Sequence, residues 1–239
     1  MHLIEIPQSV VDRAIARRGR RHVYESLDAS KTALLVIDLQ NGFVAPGFPG
    51  ELPMAREIVP NVNRLASALR QAGGHVYWIR HTQVVPGEAP WQRFDEFGAG
   101  WGTSLGETLV DGHPGHALYP PLDVRDADEI VDKTRFSAFI QGSSDLHQRL
   151  AARGIDTVIV TGTVTNVCCE STARDAMMLD YKVHFVADAN AARTDDEHNA
   201  TLCNMVLWFA DVRTSDELLA LLDVGAADAG GASVGAESR

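Results

Sequence analysis

The sequence predicts an α/β fold built on a mainly parallel central sheet. Two observations carry that prediction. Short apolar runs of β-type residues alternate with stretches whose apolar residues recur at helical spacing, the pattern of βαβ units. In addition, Asp38, Lys133 and Cys168 each fall at the carboxyl end of one of the short runs. That is the end at which open sheets of this class build their sites.

Each element has its own signal. Residues 1–30 read as an irregular or partly helical N-terminal arm. Its basic cluster, Arg17-Arg18-Gly19-Arg20-Arg21, fits a solvated helix end. Ala33-Leu34-Leu35-Val36-Ile37-Asp38 is an apolar run closed by a carboxylate, as expected of a parallel strand covered on both faces. From Pro53 to Ala72, residues Ile58, Val62, Leu65 and Leu69 recur at helical spacing, and Gly73-Gly74 stops the helix. His75–Ile79 is a second strand. Residues 82–127 break the rhythm, being rich in glycine, proline and aromatics that include Trp91, Phe94, Phe97, Trp101 and Tyr119. A long segment with little regular structure inside a compact domain is usually functional. Strands are expected at 129–132, 157–161, 183–187 and 211–213. Helices are expected at about 144–153, from the cysteine pair to near Leu179, at 195–209 and at 215–222. The Gly/Ala/Ser-rich segment 223–239 reads as a flexible tail, leaving 31–222 as the globular domain.

Composition narrows the function. The 239 residues carry a net charge of −11, which disfavours nucleic acid and anionic membranes as partners. No run approaches the roughly 18 apolar residues of a membrane span. The first residues lack the apolar core of a signal peptide. The three cysteines, Cys168, Cys169 and Cys203, are odd in number with two adjacent, which suits neither a disulfide framework nor a zinc site. A soluble, cytoplasmic enzyme is the expectation.

The chemistry centres on Gly162-Thr163-Val164-Thr165-Asn166-Val167-Cys168-Cys169-Glu170-Ser171-Thr172. It follows the strand Thr157-Val158-Ile159-Val160 and precedes a helix. Amide donors at a helix start favour negative charge, so the thiol pKa is expected to fall from roughly 8.5 toward neutrality. Singly, each residue has a plainer reading: Asp38 as a turn residue, Lys133 as a surface lysine, Cys168 as a buried structural thiol. Together they supply a base, a cation and a nucleophile at one rim of the sheet.

These residues resemble the isochorismatase-like cysteine hydrolases from about Lys31 to Leu222. The matching motifs are Val36-Ile37-Asp38-Leu39-Gln40-Asn41-Gly42-Phe43, Lys133-Thr134-Arg135-Phe136-Ser137-Ala138-Phe139, and Gly162 through Thr172. The resemblance implies a three-layer α/β/α fold, an Asp38–Lys133–Cys168 triad, and a cis peptide between Thr163 and Val164. It further implies an oxyanion hole made by the amides of Val164 and Cys168. It makes Cys168 the nucleophile, because that residue stands three after Thr165, and leaves Cys169 and Cys203 as packing residues. Family members are dimers or tetramers, so a homo-oligomer is expected. Nicotinamidases of the superfamily carry a D-x-H plus a second histidine for a metal. Here the corresponding segment reads Ile79-Arg80-His81-Thr82-Gln83, so no metal and no cofactor are expected.

Thr165-Asn166-Val167-Cys168 with Glu170-Ser171-Thr172 and Arg174-Asp175 looks most like the ureidoacrylate amidohydrolase group, with N-carbamoyl amidases and biuret hydrolases as neighbours. That group usually has tyrosine where this chain has Phe136. Asn41, Phe43 and Phe136 are candidate pocket residues. Trp91, Phe94 and Trp101 are candidate pocket walls or, equally, packing residues of the core or of a subunit contact. The activity implied by the resemblance is cleavage of an amide or ureido C–N bond of a small-molecule substrate through a thioester. Alternatives are a nicotinamidase-like or biuret-type amidase, or a non-catalytic binding or oligomerisation member of the fold.

Overall fold

The computed structural model describes residues 1–83 and 91–222; the expected tail at 223–239 lies outside the described residues, as does part of the 82–127 segment. The elements run in the order α1 (Gln8–Arg18), β1 (Thr32–Ile37), α2 (Asn41–Val44), α3 (Pro53–Gln71), β2 (His75–His81), α4 (Gln92–Thr108), β3 (Glu129–Lys133), α5 (Leu146–Ala152), β4 (Thr157–Thr163), α6 (Glu170–Met178), β5 (Lys182–Ala191), α7 (Asp195–Asn204) and β6 (Asp211–Arg213). A last helix, α8, covers residues 215–222.

Six strands form one parallel sheet in the order β3-β2-β1-β4-β5-β6. The strands are buried on both faces, which is why they read as unbroken apolar runs. Along β1, Leu35 and Ile37 point into the core packed by α1, α5, α6 and α7, while Leu34 and Val36 point into the core packed by α3, α4 and α8. This is the expected three-layer α/β/α arrangement. None of the described helices is long and apolar enough to cross a membrane.

The strand order reverses between β1 and β4, so the connections leaving their carboxyl ends run to opposite faces of the sheet and leave a crevice between them. Asp38 follows β1, Cys168 follows β4, and Lys133 ends β3.

The expectation of little regular structure over 82–127 is corrected in part. Residues 92–108 form α4, a 17-residue helix. Its glycines, Gly98, Gly100, Gly102 and Gly106, each weaken an isolated helix by about 1 kcal/mol. Tertiary burial of Phe94 and Leu105 overrides that penalty. The strand at 183–187 extends to Ala191, and the helix at 195–209 ends in a π turn over Met205–Phe209.

Gly162 fixes how closely β4 approaches β1. Its φ is +117°, and a Cβ there would lie 2.1 Å from the Ile37 carbonyl oxygen, so neither the backbone nor the space tolerates a side chain. Gly162→Ala is therefore expected to destabilise the fold by about 2–5 kcal/mol, read as a large drop in Tm by calorimetry. A wild-type Tm would show that β4 has room to shift.

Candidate active site

Asp38 leaves β1 in the left-handed region, with φ +53°, a conformation that aspartate adopts more readily than most residues. Its amide donates to the Ile79 carbonyl at 2.8 Å, fastening the turn to β2. Gln40 reinforces the same junction. Its fully buried amide accepts from the His81 N–H at 2.7 Å and donates to the carbonyls of His81 and His116 at 3.1 and 2.9 Å.

Lys133 pairs with His81 in the parallel register of β2 and β3. Its side chain is fully buried, and Nζ lies 2.8 Å from Asp38 Oδ2. Nζ also donates to the Arg135 carbonyl at 3.1 Å and faces His81 Nδ1 at 3.4 Å. An ammonium only donates, so Nδ1 is the acceptor and the His81 proton sits on Nε2. Burial, and next the Lys133 charge, hold the His81 pKa well below its ordinary value.

Cys168 sits in a π turn over Thr165–Cys169 that leads into α6. Such turns recur at functional sites because they displace one residue from the regular helical ladder. Its buried thiol feels the charges of both Asp38 and Lys133. Three residues at or beyond the ends of separate strands are thus brought together. Cys169 is fully buried and directs its Sγ back toward the Thr161 carbonyl at 3.9 Å. Cys203 lies half-buried on α7. The Thr163–Val164 peptide is cis.

The electrostatics correct one expectation. The Cys168 thiol is raised, not lowered: burial comes first, the Asp38 charge adds to it, and Lys133 opposes both. A helix start and a cation would favour thiolate in the open. Here Cys168 is only 6% exposed and feels the Asp38 charge. Asp38 is also raised, because its burial outweighs the pull of Lys133, the thiol and the His81 amide. Lys133 is raised despite burial, because Asp38 and Cys168 hold its proton.

The remaining candidates lie outside this contact, and the grooves that Trp91, Phe94, Trp101 and Phe136 line include none of Asp38, Lys133 and Cys168. Trp91 stacks on Phe94 with ring centroids 5.3 Å apart and meets Phe136 edge-on at 4.6 Å. His81 lies 6.3 Å from both Trp91 and Phe94. Trp91 and Phe136 separate two grooves. One, of about 510 Å³, runs past Ser137, Ser171 and Arg174; the other, of about 410 Å³, runs past Phe94, Phe97 and Trp101. Trp101 is half-exposed and donates its indole N–H to Pro49. Phe43 is buried in the core on the α3 side. The Asn41 side chain donates to the Pro114 carbonyl at 2.9 Å, pinning the loop beyond α4. Among the described residues no group of three or more His, Cys, Asp or Glu side chains is arranged to hold a metal ion.

The sequence carries no separate signal for Gln40, although it lies inside the Val36–Phe43 motif. A buried glutamine between two strand ends looks, in a linear pattern, like any solvated one.

Residues 32–217 match the Isochorismatase domain family. Nicotinamidase 3 of Arabidopsis thaliana is 33% identical over 188 residues, covering 78% of this chain and 86% of that protein. The ureidoacrylate amidohydrolase RutB of Methylobacterium radiotolerans is 30% identical and covers 81% of each. The crystal structure of a cysteine hydrolase from Pseudomonas syringae pv. phaseolicola superposes with a TM-score of 0.79 at 29% identity, covering 86% of this chain and 99% of that one. The chain belongs to the isochorismatase family, and it is a hydrolase.

Removing the buried cation tests its link to the sulfur. In Lys133→Ala, alkylation of Cys168 by iodoacetamide should slow by about tenfold or more at each accessible pH, a factor of about ten being one pKa unit or about 1.4 kcal/mol. Peptide mass spectrometry across a pH series reads it. An unchanged profile would detach Lys133 from the thiol.

Proposed function

We propose that the protein is a cysteine amidohydrolase that cleaves the C–N bond of a small ureido or carboxamide compound, with ureidoacrylate-type or N-carbamoyl substrates favoured. The observation that carries this reading is the 2.8 Å contact of Lys133 Nζ with Asp38 Oδ2, both buried and both acting electrostatically on the buried Cys168 thiol. A base, a cation and a nucleophile in mutual contact are the parts that acyl transfer needs.

In the proposed reaction Asp38 takes the thiol proton as the sulfur attacks the carbonyl carbon. Its raised pKa makes the carboxylate a stronger base than an ordinary aspartate, which favours the transfer. Charge develops on the carbonyl oxygen, and the amides of Val164 and Cys168 are assigned to receive it. Asp38 then returns the proton to the departing nitrogen as the C–N bond breaks. Ammonia or an amine leaves, and a thioester remains. Asp38 next deprotonates water, which attacks the thioester. The acid is released and the thiol regains its proton. No step requires a cofactor or metal.

Planar, small substrates suit the aromatic wall of Trp91, Phe94 and Phe136. The names of the relatives support the same class of bond. Exposed Met177, Met178 and Leu179 at the end of α6, with Ile140 nearby, support a homo-oligomer, and the expected setting is cytoplasmic.

Cys168→Ser should abolish turnover while Cys169→Ser keeps most of it. The assay is ammonia release from ureidoacrylate-type, N-carbamoyl amino acid, biuret and nicotinamide substrates. An acyl adduct trapped on Cys169 would overturn the assignment.

Activity should also fall on the acid side as Asp38 gains a proton. Because its pKa is raised above the ordinary 3.8, the acid limb of kcat/KM should lie above the normal carboxylate range. A limb at or below that range would remove Asp38 as the base.

A further inference from the structure

The turn that carries Cys168 is gripped from outside by α7. Thr165, its first residue, is fully buried. The Thr165 hydroxyl lies 2.9 Å from His198 Nδ1, and the other ring nitrogen, Nε2, lies 2.9 Å from the Ala187 carbonyl oxygen. A carbonyl only accepts, so the His198 proton sits on Nε2. Nδ1 is then a lone pair, and the Thr165 hydroxyl donates to it. At the far end of the turn, Glu170 accepts from the Thr201 hydroxyl at 2.6 Å. Both contacts come from α7, and they flank Cys168 on either side.

The imidazole is itself held in place. His2 stacks on His198 with ring centroids 4.4 Å apart and planes 12° apart. The Ala192 amide donates to His2 Nε2 at 2.9 Å, which leaves the His2 proton on Nδ1, facing Asp195 at 2.7 Å. The start of α7 is fixed by a capping box between Thr194 and Glu197. Burial, with the neighbouring His2 adding to it, lowers the His198 pKa to about 4, while the Ala187 carbonyl and Asp195 pull the other way. The neutral tautomer therefore persists at neutral pH.

We propose that His198 is a positioning residue: its neutral imidazole relays the fixed Ala187 carbonyl to the Thr165 hydroxyl, and so sets the turn that presents Cys168. The N-terminal residues take part by sealing the ring from solvent through His2. This rests on the reading of Cys168 as the nucleophile. A buried histidine that only filled space would not need both nitrogens matched, one to a donor and one to an acceptor.

The test uses the full chain with His198→Leu, His198→Gln and Thr165→Val. Glutamine can donate to Ala187 and accept from Thr165; leucine can do neither. Thr165→Val removes only the hydroxyl and decides the matter if His198→Leu does not fold. Amide hydrogen exchange of the 164–170 peptide should quicken by about tenfold in His198→Leu and Thr165→Val, with peptides from β1 and β4 unchanged. On whichever substrate the wild type turns over, kcat should drop by about tenfold or more in the same two variants, with KM within about twofold. His198→Gln should stay close to wild type in both. Unchanged exchange at 164–170 in Thr165→Val would overturn the proposal. So would a rise spread over the whole chain in that variant, or a His198→Gln as impaired as His198→Leu. The exchange measurement needs no substrate, so absence of amidase activity leaves it readable. Wild-type kinetics in Thr165→Val would sink the positioning role while leaving the amidase reading intact.

Discussion

The ion pair between Lys133 and Asp38 is the contact around which the site is arranged. Both side chains are buried, 0% and 1% exposed, at a separation of 2.8 Å. Such a pair is a poor source of stability, since removing two charges from water costs several kcal/mol per ion and the mutual attraction returns only part of it. In the proposed reaction its role is what it does to a third group. The Cys168 thiol meets a carboxylate and an ammonium at once, so either charge can respond when the sulfur gives up its proton.

Strand order makes this meeting possible. Neighbouring strands are about 4.8 Å apart. Lys133 ends β3, His81 ends β2, Asp38 follows β1 and Cys168 follows β4. These four residues therefore line up across adjacent strand ends. Lys133 must reach over β2 to touch Asp38, and only a long side chain spans that gap. His81 occupies the step between and offers Nδ1 to the passing ammonium. Asp38 turns into the left-handed region and is fastened to Ile79, while Gln40 ties the same strand ends together. On the other side Gly162 lets β4 close upon Ile37, bringing the turn after β4 within reach of Asp38.

How much of this can be read in the sequence depends on what kind of physics sets each feature. The strands are legible because burial on both faces makes their composition extreme, as in Leu34-Leu35-Val36-Ile37. Helix α3 is legible because only one of its faces is buried. The meeting of Asp38, Lys133 and Cys168 is legible because a parallel sheet sends all its carboxyl ends to one side. Helix α4 is not, because its glycines argue against a helix that tertiary contacts nonetheless hold. Gln40, Thr165 and His198 are not, because a polar residue's burial depends on partners far away in the chain; Thr165 and His198 are 33 positions apart. The direction of the thiol shift is missed for the same reason. The local rule for a helix start considers amides alone, whereas burial, the largest cause of the rise, is set by tertiary packing, and to it is added the charge of the Asp38 carboxylate.

That carboxylate changes how the proposed reaction handles charge. With Asp38 ionised, Lys133 protonated and Cys168 neutral, the buried centre has no net charge. Moving the proton from sulfur to Asp38 gives a neutral acid, a thiolate and the same ammonium, again with no net charge. The transfer therefore neither brings a charge in from solvent nor sends one out, and the desolvation that raises both pKa values acts on the two sides of the step in similar measure. A thiolate formed by losing its proton to bulk water would instead leave two anions against one cation in a site with almost no solvent. The raised thiol is thus compatible with nucleophilic attack, provided that the base is the carboxylate already in contact with it and the cation stays in place. On this view the buried pair serves the sulfur jointly: Asp38 receives the proton, and Lys133 holds the charge that remains.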